Sequence, residues 1–374
     1  EFLKDEYGIG GSYGGRVDMA YDSKGLAIGY GNLFVNEKIL LSWTDVAKRI
    51  DALIKQDKYL SEKEQTLLDW YERSQVARAI QGFYMNRDEE VPRPFTHDAK
   101  AVYEDKAKEI INQYDRAGVV TLSWQCKNPV RGGSINDIME GGSKHEAFLG
   151  WLDKVADFMN SLETPYGVKV PVIFRPWQEN GENHFWWEDS VCTKEQYLAL
   201  WQMTQERMKE NDVVNVLYAY SPLATEDASE SHYTARYPGD ELIDILGINY
   251  YCHAEEGDTT ALATFTKTLD KNLRMLTKLG KKAGKPIAIT ETGYRSIKSD
   301  NWWTENLSKA IGKHPISYVM LWRNGHELAN HYYVPFPGQR STEDFVKFYN
   351  EPRTLFLHDI NGMYLEKKES KSKE

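Results

Sequence analysis

Two glutamates in this chain each close a short apolar run. Val172-Ile173-Phe174 leads into Arg175-Pro176-Trp177-Gln178-Glu179-Asn180, with Phe185-Trp186-Trp187 close behind. Further on, Pro286-Ile287-Ala288-Ile289-Thr290 ends in Glu291-Thr292-Gly293-Tyr294. Apolar runs of this length read as strands buried on both faces, so each glutamate sits at or just past a strand's carboxyl end. In an α/β barrel that end is where reactive groups gather. Carboxyl groups beside flat aromatic surfaces suit sugar chemistry, because indole stacks on the C–H face of a sugar ring while a carboxyl group handles the glycosidic oxygen. One strand-end glutamate is usually half of a structural ion pair. Two, in a chain with 11 Trp and 23 Tyr among 374 residues, point to a site in an aromatic-lined groove.

The elements that must position this pair follow a β/α rhythm. Strands are expected at 25–30, 76–83, 119–124, 170–174, 213–220, 243–249, 286–290 and 316–322. Helices are expected at 98–117, 145–162, 194–210, 260–279 and 302–313. From the second strand on, the spacing is roughly 30 to 50 residues, as repeated βα units give. The expectation is an α/β fold, a (β/α)8 TIM barrel, formed by a single domain over residues 1–365. Glu179 then ends the fourth strand and Glu291 the seventh. Lys281, Lys282 and Lys285, set around Gly280 and Gly284, mark a helix end and a tight turn before the seventh strand. Residues 1–75 place the first strand poorly, being polar and rich in Gly and Tyr before a helical stretch over 38–72. Residues 366–374 read as a charged, mobile tail.

Composition narrows the partners. A net charge of −10 argues against nucleic acid and anionic membrane surfaces and is compatible with a neutral polymer. No apolar run approaches the length of a membrane span. Cys126, Cys192 and Cys252 are odd in number and lack metal-ligand spacing, so neither a disulfide framework nor a metal site is expected. No cofactor motif is present, and the chemistry needs none. The chain opens on Glu1-Phe2-Leu3 without Met, which fits a secreted protein whose leader has been removed. A monomer is expected.

Four segments, taken in order, resemble glycoside hydrolase family 26: Thr121-Leu122-Ser123-Trp124-Gln125-Cys126-Lys127-Asn128-Pro129, Phe174 to Glu179 with Phe185-Trp186-Trp187, Thr290-Glu291-Thr292-Gly293, and Val319-Met320-Leu321-Trp322-Arg323-Asn324. His331-Tyr332-Tyr333-Val334-Pro335-Phe336-Pro337-Gly338 and the run 344–349 also read like that family, so the likeness covers residues 98–350. The resemblance implies an endo-acting, retaining β-1,4-mannanase that hydrolyses mannan, glucomannan or galactomannan by double displacement. It makes Glu179 the acid/base and Glu291 the nucleophile, a pair that needs its carboxyl groups about 5–5.5 Å apart. It further implies that Tyr251 hydrogen-bonds near the nucleophile and that Trp322 floors the adjoining sugar subsite. Arg323 and Asn324 would reach sugar hydroxyls or support that floor. Arg175 is expected to be a structural or nucleophile-orienting charge inside the barrel. Trp124 is either a sugar platform or core, and of Trp186 and Trp187 one is core while the other, taken as Trp187, lines the groove.

Three positions depart from the family. Most members carry His where this chain has Gln178 and Gln125, and Trp where it has His184. An amide at Gln178 offers a donor and an acceptor to a sugar hydroxyl, but it cannot be protonated. Gln125 again substitutes neutral hydrogen bonds for imidazole, and His184 is a smaller ring than indole. All three are expected to contact substrate. Because both glutamates remain, two alternatives stay open beside the mannanase. One is another β-glycan (a β-glucan or β-1,3-xylan) on the same fold. The other is a carbohydrate-binding barrel with little turnover, which has no reason to keep both glutamates.

Overall fold

A parallel strand pair cannot be joined by a tight turn and needs a crossover, usually a helix. The computed structural model describes residues 83–85 and 99–364, apart from 127, 131–132, 182–184, 325–329, 358 and 361–363. Its strands are β1 (Phe83–Met85), β2 (Val120–Trp124), β3 (Val172–Arg175), β4 (Val216–Tyr220), β5 (Ile245–Cys252), β6 (Ile287–Tyr294) and β7 (Ile316–Leu321). They form one sheet in chain order, with every neighbouring pair parallel. Helices α1 (Ala99–Asp115), α2 (His145–Ser161), α3 (Lys194–Glu210), α4 (Glu230–Thr234) and α5 (Thr259–Ala283) stand between strands, and α6 (Lys309–Ile311) precedes β7. Helix α7 (Thr342–Tyr349) follows the last strand. This is the βα repeat of the (β/α)8 barrel.

Contacts across the sheet show that it curls. Arg175 on β3 donates to Glu291 on β6 and lies 3.6 Å from the sulfur of Met320 on β7. These strands are not neighbours, so the side chains can meet only inside a closed curve. All positions of β2, β3 and β6 are buried, as strands covered on both faces must be.

The expected elements sit close to the observed ones. Helix α3 spans the predicted residues, capped by Thr193, whose hydroxyl accepts from the Gln196 amide while the Gln196 side chain accepts from the Thr193 amide. The predicted helix at 302–313 is irregular instead: Trp303–Ser308 widen into a π turn before α6. Trp302 and Trp303 are both fully buried, with ring centroids 4.8 Å apart, and seating two adjacent indoles in the core sets this winding. The strand expected at 25–30, the helical stretch at 38–72 and the tail at 366–374 lie outside the described residues. Only Phe83 of the strand expected at 76–83 is described, where it opens β1. No helix among the described residues is long and apolar enough to cross a membrane.

The turn feeding β6 is built from two glycines. Gly284 closes α5 in the left-handed conformation, at a φ of 68°, and its N–H returns to the Gly280 carbonyl. Gly280 has no room for a side chain: a Cβ there would lie 2.6 Å from Ile287 Cγ2 and 2.8 Å from the Lys285 carbonyl. Helix propensity favours Ala over Gly by about 1 kcal/mol, but this contact is with backbone and outweighs it. Gly280→Ala should therefore destabilise the protein by about 1–3 kcal/mol. Urea unfolding would measure this, and a stabilised variant would show that the α5–β6 junction yields.

Candidate active site

Glu291 sits on β6 at a break in register. Ile248 pairs with Ile289 but Asn249 pairs with Glu291, so Thr290 is an extra residue, a β-bulge. A bulge re-aims the side chains that follow it. Glu291 is 2% exposed, and such a carboxylate is costly unless paired and hydrogen-bonded. Arg175 supplies the pair, its Nη2 lying 3.2 Å from Oε2, and the Tyr251 hydroxyl donates to Oε1. Both carboxylate oxygens are thus held as acceptors.

Tyr251 is itself braced by rings. Trp322 meets it at 6.4 Å and 85°, and Tyr333 at 6.0 Å and 72°, both edge-to-face. Tyr333 packs over Gly293, where a Cβ would fall 2.4 Å from its ring. Asn324 pins the Tyr333 segment: its Oδ1 accepts the Tyr333 and Val334 amides at 2.5 and 3.0 Å, and its Nδ2 donates to the Val334 carbonyl at 2.9 Å.

Glu179 lies just beyond β3 in an unusual backbone. Trp177 and Glu179 have φ values of 52° and 51°, left-handed conformations that cost an L-residue roughly 1–2 kcal/mol each. Contacts on every side hold them. The Glu179 amide donates to the Ser221 carbonyl at 3.0 Å, and the Tyr197 hydroxyl donates to the Trp177 carbonyl at 2.7 Å. Trp187 Nε1 donates to the Gln178 carbonyl at 2.8 Å. Asn249 Nδ2 donates to Glu179 Oε1 at 2.8 Å, while Asn249 Oδ1 accepts the Thr290 hydroxyl at the same distance. The bulge residue beside Glu291 therefore aims the amide that holds Glu179, and Asn249 is at once the ladder partner of Glu291 and the donor to Glu179.

The other predicted positions divide. Gln178 is buried, and its side-chain carbonyl has no hydrogen-bond donor among the described residues. Gln125 follows β2 half-buried, and Trp322 and Arg323 follow β7 half-buried on the same rim. Trp124 takes the core alternative, being 0% exposed between Phe148 and Trp177. Trp187 also departs from expectation: it is 0% exposed, and Trp186 is buried beside it with its N–H on the Cys126 carbonyl. Both indoles turn inward to back the left-handed loop, which leaves neither a face for a sugar. His184 lies outside the described residues. Asn249 and Tyr333 were not singled out from the sequence. A lone amide in the apolar run of β5 was the available signal for Asn249; Tyr333 had none, since its place depends on Gly293 forty residues earlier. No cluster of His, Cys, Asp or Glu suited to a metal ion occurs among the described residues.

Comparison with known proteins addresses the family and the fold. The chain is similar to the structure of a GH26 β-mannanase from Bacteroides ovatus, with 35% identity, 86% of this chain and 97% of that chain covered, and a TM-score of 0.69. It is also similar to the catalytic domain of a GH26 endo-β-1,4-mannanase from Bacillus sp. JAMB-750, at 29% identity and a TM-score of 0.68, covering 77% of this chain and 80% of that one. A mannan endo-1,4-beta-mannosidase from Bifidobacterium adolescentis is 28% identical over 69% of this chain. This chain spans 28% of the length of that protein and 42% of that of a mannan endo-1,4-beta-mannosidase from Caldalkalibacillus mannanilyticus. The sequence pattern described as glycosyl hydrolase family 26 matches residues 66–322. Since that span runs from before β1 through β7 and contains Glu179, Asn249 and Glu291, the chain belongs to glycosyl hydrolase family 26.

Proposed function

We propose that this chain is an endo-acting, retaining β-1,4-mannanase, with Glu291 as nucleophile and Glu179 as acid/base. Its substrate is a β-mannan, glucomannan or galactomannan, the class that its relatives' names share. It works as a monomer, outside the cell, because a polysaccharide cannot cross the membrane to reach it. The observation that carries the reading is that Asn249 joins the two glutamates, as backbone ladder partner of Glu291 on β6 and as side-chain donor to Glu179 in the loop after β3.

The chemistry follows from what each carboxyl group touches. Glu291 attacks the anomeric carbon, and Arg175 and Tyr251 fix its carboxylate before substrate arrives, so no reorganisation is needed at the moment of reaction. Glu179 gives its proton to the departing glycosidic oxygen and then deprotonates the water that opens the glycosyl-enzyme. The Asn249 N–H suits that double role, because the oxygen it meets accepts a hydrogen bond whether Glu179 is protonated or not. Half-buried Trp322 offers an indole beside this pair.

Glu291→Ala should reduce hydrolysis to background on every substrate. Glu179→Ala should cost about 10²–10⁴-fold on galactomannan yet far less on a dinitrophenyl β-mannobioside, whose leaving group needs no proton. Equal losses on both substrates for Glu179→Ala would overturn the assignment of roles.

Reducing-sugar release with product sizing should give oligosaccharides from locust-bean galactomannan and none from barley β-glucan or β-1,3-xylan. Release of single sugars alone would refute endo action. Cleavage confined to another polymer would assign specificity to Gln125, Gln178 and His184, and binding without cleavage would make the chain a lectin.

A further inference from the structure

We infer that Arg236 is the positioning residue of the acid/base, a buried cation that holds the Glu179 loop by its backbone. The inference rests on the role just proposed for Glu179 and adds a residue remote in sequence from both glutamates.

The segment from Pro176 to Thr193 joins β3 to α3, forms no helix or strand among its described residues, and includes the two left-handed residues. A strained loop relaxes unless its surroundings over-determine it. Arg236, just past α4, meets this need. Its Nη1 donates to the carbonyls of Asn180 and Trp187 at 2.8 and 3.1 Å. Its Nη2 donates to those of Cys192 and Thr193 at 2.7 and 3.3 Å. The first of these carbonyls belongs to the residue following Glu179, and the last to the cap of α3, so one guanidinium gathers both ends of the loop.

The environment is made for that purpose. Arg236 is 8% exposed, its guanidinium carbon lies 4.3 Å from the centre of the Tyr197 ring, and no carboxylate pairs with it among the described residues. Its charge is met by carbonyl oxygens instead, which makes those hydrogen bonds charge-assisted and roughly twice as strong as neutral ones. Burial pushes the hydroxyls of Tyr197, Tyr220 and Tyr233 upward, Tyr220 to about 12, so all three stay neutral donors. Tyr220 accepts from the Asn180 side chain at 3.2 Å, and the Tyr233 hydroxyl donates to the Gly247 carbonyl at 3.3 Å. Asn180 is thereby held twice, by its backbone through Arg236 and by its side chain through Tyr220. Lysine cannot replace this arrangement, since its three donors radiate from one point whereas the guanidinium spreads five over a planar fork.

A displacement of Glu179 by about 1 Å is enough to cost 10²-fold in rate, so loss of the clamp should appear in proton donation. The test uses Arg236→Lys and Arg236→Gln in the full chain, beside Glu179→Ala as a reference. Activity is measured on a mannan oligosaccharide and on the dinitrophenyl glycoside, and amide hydrogen exchange is followed at 176–193 and at 145–161. The expected result is a loss of about 10- to 100-fold on the oligosaccharide, under about threefold on the aryl glycoside, and faster exchange at 176–193 alone. Equal losses on both substrates, or unchanged exchange at 176–193, would overturn the inference. Failure of both variants to fold would also overturn it, by making Arg236 a support of the whole barrel. If the wild type cleaves neither substrate, the enzymatic reading falls by itself and hydrogen exchange alone decides whether Arg236 holds the loop.

Discussion

The burial of a charge at Glu291 organises this molecule. A carboxylate with almost no contact with water must be matched where it stands, and here the match comes from two other strands, Arg175 on β3 and Tyr251 on β5. Arg175 is itself wholly buried, so neither member of the pair can be withdrawn without leaving an uncompensated charge in the interior, typically a loss of about 3–5 kcal/mol. Because β3 and β6 are not neighbours, the ion pair exists only if the sheet curls. The curl of the sheet and the orientation of Glu291 are one interaction seen from two sides.

The two glutamates are held by opposite means. Glu291 belongs to a strand and owes its direction to one inserted residue, Thr290. Glu179 belongs to a loop and owes its direction to backbone contacts from α3, the end of β4, the segment after α4 and an indole of its own loop. Asn249 joins the two arrangements: it is the ladder partner of one glutamate and the hydrogen-bond donor of the other. A shift in the β5–β6 register would therefore be felt at both carboxyl groups together.

The sequence made the fold legible from β2 onward because parallel strands buried on both faces announce themselves as apolar runs, and because α3 carries its own cap. It made both glutamates legible for a related reason: each follows an apolar run, and two such charges in one aromatic-rich chain are harder to explain as structural ion pairs than one. What stayed hidden depended on distance along the chain. Trp124 and Trp187 look alike as letters whether they face a groove or a core, and only the packing of the loop around Trp177 turned them inward. The Thr290 bulge leaves no mark in periodicity, since one extra residue in an apolar strand is still an apolar strand. Arg236 sits in a polar stretch after a five-residue helix, and nothing local connects it to carbonyls more than forty residues earlier.

The bare backbone at Gly293 carries a consequence for the order in which the surroundings of Glu291 are assembled. The ring that rests there, Tyr333, is the last brace of the Tyr251–Glu291 contact to leave the ribosome. By then both glutamates, the bulge and the clamp on the Glu179 loop have already been synthesised. A nascent chain that ends at Leu321 carries both glutamates, yet Tyr251 lacks the Trp322 and Tyr333 rings and Gly293 stands uncovered. The brace on the Tyr251–Glu291 contact is therefore completed only after both glutamates are in place, by a ring made forty residues later than the glycine it covers.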